Sequence, residues 1–107
     1  SLALRLEDEE GVRLVYTSDT GYGDALADFA RGAELLVIEC SFPRDKRSAK
    51  HLELTEAMKI AREAAPRRVL LTHLYPEWDG LNLNAEARKL WPGETIEARD
   101  GLRLNIK

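Results

Sequence analysis

Val69-Leu70-Leu71-Thr72-His73-Leu74-Tyr75-Pro76 is an apolar run of buried-strand type that stops on a histidine at the edge of a turn. Two runs of the same build precede it: residues 13–18 open into Asp19-Thr20-Gly21, and residues 35–38 open into Glu39-Cys40-Ser41. Each drops a polar or ionisable side chain where the strand stops. In open α/β sheets this strand-end rim is where ligands and metals are held, because the strand fixes the backbone while the following loop leaves room.

Working outward, residues 2–7 alternate Leu2, Leu4, Leu6 against Ala3, Arg5, Glu7, the period of a strand with one buried face. Asp8-Glu9-Glu10-Gly11 reads as a turn and residues 12–17 resume the strand pattern, so the opening is a hairpin. Asp24 stands as N-cap before a helical stripe of Leu26, Phe29 and Ala30 closed by Gly32. Residues 35–40 form a strand apolar except for Glu39, which implies cover on both faces. Residues 41–50 read as a loop. A helical stripe of Leu54, Ala57, Met58, Ala61 and Ala65 then predicts a helix over 51–65, stopped by Pro66. Beyond the strand at 69–74, the pattern predicts a loop to Asn82 and a helix over 84–91. A closing hairpin follows, 95–98 against 102–106, with Asp100-Gly101 at its turn. The order β β α β α β α β β is α/β, a sheet with a parallel centre and antiparallel margins.

With 107 residues, 44% of them hydrophobic and 33% charged, the chain is sized for one folded domain, 1–107. A net charge of -3 argues against a broad, non-specific nucleic-acid surface, though not against a phosphodiester substrate. Cys40 is the only cysteine, which excludes an internal disulfide and a thiolate zinc site. Cytoplasmic residence is the default expectation. No run approaches the roughly 20 apolar residues of a membrane span.

Asp19, Glu39 and His73 all follow strands, and His51 stands at the predicted start of the helix leading into the third strand. Parallel neighbours bring like ends together, so these four can share one rim. A carboxylate bridges divalent ions and a neutral imidazole binds zinc, so Asp19 with His73 makes half a metal site. Plainer roles exist for each: an Asx-turn for Asp19, a hydrogen-bonded rim histidine for His73, an ion pair for Glu39, a polar helix start for His51. Arg44, Lys46, Arg47 and Lys50 read first as a solvated basic loop, Cys40 as an inert apolar residue, Trp78 and Trp91 as packing.

At these residues the chain resembles the C-terminal half of the metallo-β-lactamase αββα sandwich, and within that fold the ribonuclease Z-like hydrolases. Tyr16-Thr17-Ser18-Asp19-Thr20-Gly21 is similar to the family's Ser-Gly-Asp-Thr motif, and Leu71-Thr72-His73-Leu74 to its Leu-Thr-His motif. Glu39-Cys40-Ser41-Phe42 is similar to the end of the ribonuclease Z His-Glu-Ala-Thr motif, and Lys50-His51-Leu52 falls where that family has His-Ser-Thr. Ile38 stands in place of the first motif histidine, and Leu52-Glu53 in place of Ser-Thr. With these two departures the resemblance leaves glyoxalase-like, lactonase-like and cyclic-phosphodiesterase relatives as alternatives to the ribonuclease Z-like class.

The resemblance implies a mixed sheet with helices on one face and a dinuclear zinc or manganese site in which Asp19 bridges both ions and His73 binds one. It implies proton transfer by His51 oriented by Glu39, with Ser18, Tyr22, Arg44 and Arg47 as substrate contacts and RNA or a small phosphodiester as substrate. The family's His-x-His-x-Asp-His signature is absent, His51 and His73 being the only histidines. The expected partner is therefore the missing N-terminal half of the fold or a second copy of the chain, with no activity for these residues alone and no membrane association. A non-catalytic half-domain acting in dimerisation or partner assembly is the rival reading. A phosphate-binding module using Thr20-Gly21-Tyr22-Gly23 ranks last, for want of a Gly-x-Gly-x-x-Gly pattern or a P-loop lysine.

Overall fold

The computed structural model describes residues 3–17, 24–43 and 52–106. Five strands form one sheet in chain order: β1 (Leu4–Glu7), β2 (Arg13–Tyr16), β3 (Leu35–Glu39), β4 (Arg68–Thr72) and β5 (Glu94–Glu97). β1 pairs antiparallel to β2 through a turn in which Asp8 Oδ1 accepts from the amides of Glu10 and Val12, both at 2.9 Å. β2 through β5 are all parallel. The crossovers carry α1 (Asp24–Ala30), α2 (Leu54–Ala64) and α3 (Leu83–Arg88).

Strand order that follows chain order has a consequence when every crossover is right-handed, the near-universal rule for parallel strands. Each helix must then fall on the same side of the sheet. Val15, Leu36, Ile38, Val69 and Leu71 point to that side and form one buried core with Ala27 and Ala30 of α1, Met58, Ile60 and Ala61 of α2, and Leu83 and Ala87 of α3. Trp78 and Trp91 are buried in the same core, as packing residues.

The opposite face is also apolar. By register, Leu4 stands opposite Tyr16, Leu6 opposite Leu14, Leu14 beside Leu35, and Val37 beside Leu70. Leu4 is 52% exposed and Leu6 60%, where the alternation predicted a buried stripe. They lie on an edge strand and on the side that no helix among the described residues reaches.

Two boundaries and one element differ from expectation. α2 starts at Leu54 rather than at His51, because Leu52 and Glu53 are still outside the helix and Phe42 forms a bridge with Glu53. Glu53 is the N-cap: it accepts from the Glu56 amide at 2.9 Å, while the Glu56 carboxylate accepts from the Glu53 amide at 3.1 Å, a capping box. α3 ends at Arg88, short of Trp91. The closing hairpin does not form. The α3 crossover lays β5 parallel to β4, and after a turn closed by the Leu102 amide on the Arg99 carbonyl (3.1 Å) residues 102–106 leave the ladder. They run over the helix-free face, where Leu102, Leu104 and Ile106 line clefts of about 600 and 300 Å³ with Leu6, Leu14, Leu35 and Leu70.

α2 closes on Ala65, which sits in the left-handed region (φ 51°) and donates its amide to Ala61 O at 2.9 Å. A Cβ in that conformation is costly, and glycine is not. Ala65→Gly should therefore stabilise the chain by about 1 kcal/mol, read as a rise in urea midpoint with unchanged slope.

Candidate active site at the strand ends

Because β2 to β5 are parallel, all four finish on one rim. Thr17, buried, follows β2 and donates its amide to Val37 O at 3.0 Å. Glu39 is the last residue of β3, pairs in register with Thr72, and is 1% exposed. A carboxylate this deep needs donors, and one is the Ser41 hydroxyl, 2.7 Å from Glu39 Oε2. The Cys40 amide donates to Thr72 O at 2.8 Å, tying the ends of β3 and β4 together.

The next residue, His73, is exposed and holds φ 61°. Histidine is among the few side chains that enter the left-handed region with any frequency, and strain of this kind concentrates at functional sites. Its Nε2 lies 3.4 Å from the Tyr75 hydroxyl, with ring centroids 5.2 Å apart. Tyr75 is itself fixed, donating its amide to Ser41 O at 3.0 Å and packing edge-on against Phe42 at 5.0 Å. The loop after β3 thus sets both the carboxylate of Glu39 and the neighbour of His73.

Cys40 is fully buried between these residues, and the Trp78 indole donates to its carbonyl at 2.9 Å. Burial, then the carboxylates of Glu53 and Glu39, push its thiol far above the ordinary range, so it is an inert packing group. Folding favours the protonated thiol, a contribution intact below the unfolded pKa of about 8.5 and lost progressively as pH rises above it. Stability should fall by up to about 1.4 kcal/mol per pH unit from this group alone. Urea unfolding between pH 7 and 10 should show that slope reduced in Cys40→Ala.

Of the residues singled out from sequence, Glu39 and His73 come together on the rim. Asp19, His51, Ser18, Tyr22, Arg44 and Arg47 lie outside the described residues. Among the described residues no three of His, Cys, Asp or Glu converge to hold a metal. The rim's imidazole and carboxylate are the donor types zinc takes, and Glu39 is already committed to Ser41, so the described residues fit one wall of a metal site and not a whole one. Sequence reasoning passed over Ser41 as the donor to Glu39, and over Tyr75; a hydroxyl two residues beyond a buried strand-end carboxylate was the available signal. It also passed over the end of β5, which a hairpin would have turned away from the rim.

Comparison with known proteins agrees with this architecture. The profile of the family described as Beta-lactamase superfamily domain matches residues 1–74. "Probable metallo-hydrolase YhfI" of Bacillus subtilis is 39% identical over 101 residues, covering 92% of this chain and 41% of that protein. The crystal structure of YhfI, a metallo-beta-lactamase fold protein, superposes with a TM-score of 0.84 at 37% identity, over 94% of this chain and 42% of that one. Ribonuclease Z from Synechococcus sp. (strain CC9605) is 33% identical over 114 residues, covering 94% of this chain and 34% of the relative. Human tRNase Z, short form, shares the fold at 18% identity, with a TM-score of 0.72 over 98% of this chain and 38% of that one. The chain spans about two-fifths of the length of YhfI. Its mixed five-stranded sheet, with its helices on one face and its parallel strand ends on one rim, belongs to the metallo-β-lactamase superfamily and makes up part of that fold.

Proposed function

We propose that this chain is one wall of a metal-dependent hydrolase, a ribonuclease Z-like phosphodiesterase with a dinuclear zinc or manganese site. The observation that carries the reading is the pairing of a buried, hydrogen-bonded carboxylate, Glu39, with a left-handed, exposed histidine, His73, on adjacent parallel strand ends. The 33% identity to a ribonuclease Z supports the substrate class.

In this reading His73 and Asp19, two residues after Thr17, would be the side chains of this chain that hold the ions. When bound, the ions supply polarisation of the phosphoryl group and acidified water. Glu39, its carboxylate set by Ser41, orients the His51 ring, and His51 as imidazolium gives its proton to the leaving oxygen. Ser18, Tyr22, Arg44 and Arg47 contact the substrate, an RNA end or a small phosphodiester. The remaining ligands come from the rest of the fold.

The test is zinc titration of this chain, alone and mixed with a polypeptide carrying the rest of the fold. Weak binding that tightens at least tenfold on mixing, and that His73→Gln removes, is the expected result. Tight binding by the chain alone, indifferent to His73→Gln, would overturn it. A second reading, assembly without catalysis, is favoured by Leu4, Leu6 and Tyr16 exposed together on the helix-free face. Sedimentation decides its premise: a monomer at high concentration counts against that face as a pairing surface.

A further inference from the structure

The fourth parallel strand brings a cation to the rim that none of the motifs contains. The Ala98 amide donates to Leu71 O at 2.9 Å, which fixes the end of β5 beside the end of β4. Arg99 follows at once, its carbonyl closing the turn with Leu102. Arg99 and His73 line one cavity of about 340 Å³ together with Thr72, Leu74, Ala98 and Asp100. Arg99 is exposed, and among the described residues its guanidinium has no carboxylate or carbonyl partner. That distinguishes it from Arg13, Arg31, Arg62 and Arg68, whose guanidinium groups donate to backbone carbonyls elsewhere in the fold.

We propose that Arg99 is the anion-contacting residue of this cavity, seating a non-bridging oxygen pair of a phosphate ester beside His73. The inference deepens the proposed function and rests on it for the class of the anion. A guanidinium is charged at every working pH and presents parallel N–H donors spaced for two phosphate oxygens. Fixed on a strand end, it contributes orientation as well as charge. Asp100 lines the same cavity and opposes an anion, which gives the test two signs.

The experiment is titration of the full chain with inorganic phosphate in metal-free buffer, followed by amide chemical shifts. Saturable shifts are expected at residues 72–74 and 98–101. Arg99→Gln should weaken binding by at least about fivefold, Arg99→Lys by less, and Asp100→Asn should tighten it by about twofold. Unchanged shifts elsewhere establish that each variant is folded. Absent saturable binding, or an affinity that ignores Arg99→Gln, overturns the proposal. Zinc titration of the chain and of its His73→Gln variant, set beside the phosphate titrations, separates the two readings. Zinc binding that needs His73 while phosphate ignores Arg99 sinks only the anion seat. Phosphate binding that needs Arg99 while zinc ignores His73 sinks the hydrolase reading and leaves an anion site.

Discussion

Alanine at Asp19 or at His73 should lower phosphodiester hydrolysis at least about 1,000-fold in a polypeptide carrying the whole fold, equivalent to about 4 kcal/mol of transition-state stabilisation. The loss should appear in kcat with bis(p-nitrophenyl) phosphate and be matched by a fall in bound zinc on elemental analysis. The His73 substitution removes no core volume, since His73 is exposed. His73→Gly sharpens the point. Relief of the left-handed strain should raise stability by about 0.5–1 kcal/mol while zinc binding and activity fall as in the alanine variant. A protein made more stable and inactive by one change has spent conformational energy on holding that ring. Full activity in either alanine variant would remove the metal-ligand assignment.

The second large effect belongs to the covered side of the sheet. Leu36→Ala should cost about 2–5 kcal/mol, because Leu36 is fully buried in β3 with Val15, Val69 and the helices around it, and the truncation leaves a cavity as well as losing burial. Leu6→Ser, on the other face and 60% exposed, should change stability by less than about 0.5 kcal/mol. Urea unfolding of the two variants under one buffer checks both. Equal costs would mean that the helix-free face is packed in solution by something that covers Leu6.

The parallel core was legible because β3 and β4 are continuously apolar and separated by one clear amphipathic helix, and the hairpin because Asp8 to Gly11 carries turn chemistry. The His51 start was misjudged because a glutamate, an uncommon N-cap, closes the capping box two residues later. Asp100-Gly101 does form a turn, yet local turn chemistry does not decide which edge the outgoing segment meets; the α3 crossover had already committed β5 to the parallel register. At the rim, motif spacing singled out Glu39 and His73, and the register stands them at neighbouring strand ends. Ser41, Tyr75 and Arg99 became visible only through register and packing, which relate residues far apart in sequence.

The agreement between strand order and chain order also bears on synthesis. Each strand docks against the one made just before it, β2 through a turn and the later strands each through one crossover, so no pairing has to wait for a strand made later. Rim groups therefore arrive in the order Thr17, Glu39, His73, Arg99, and a nascent chain has the Glu39 wall in place before the His73 end is laid beside it.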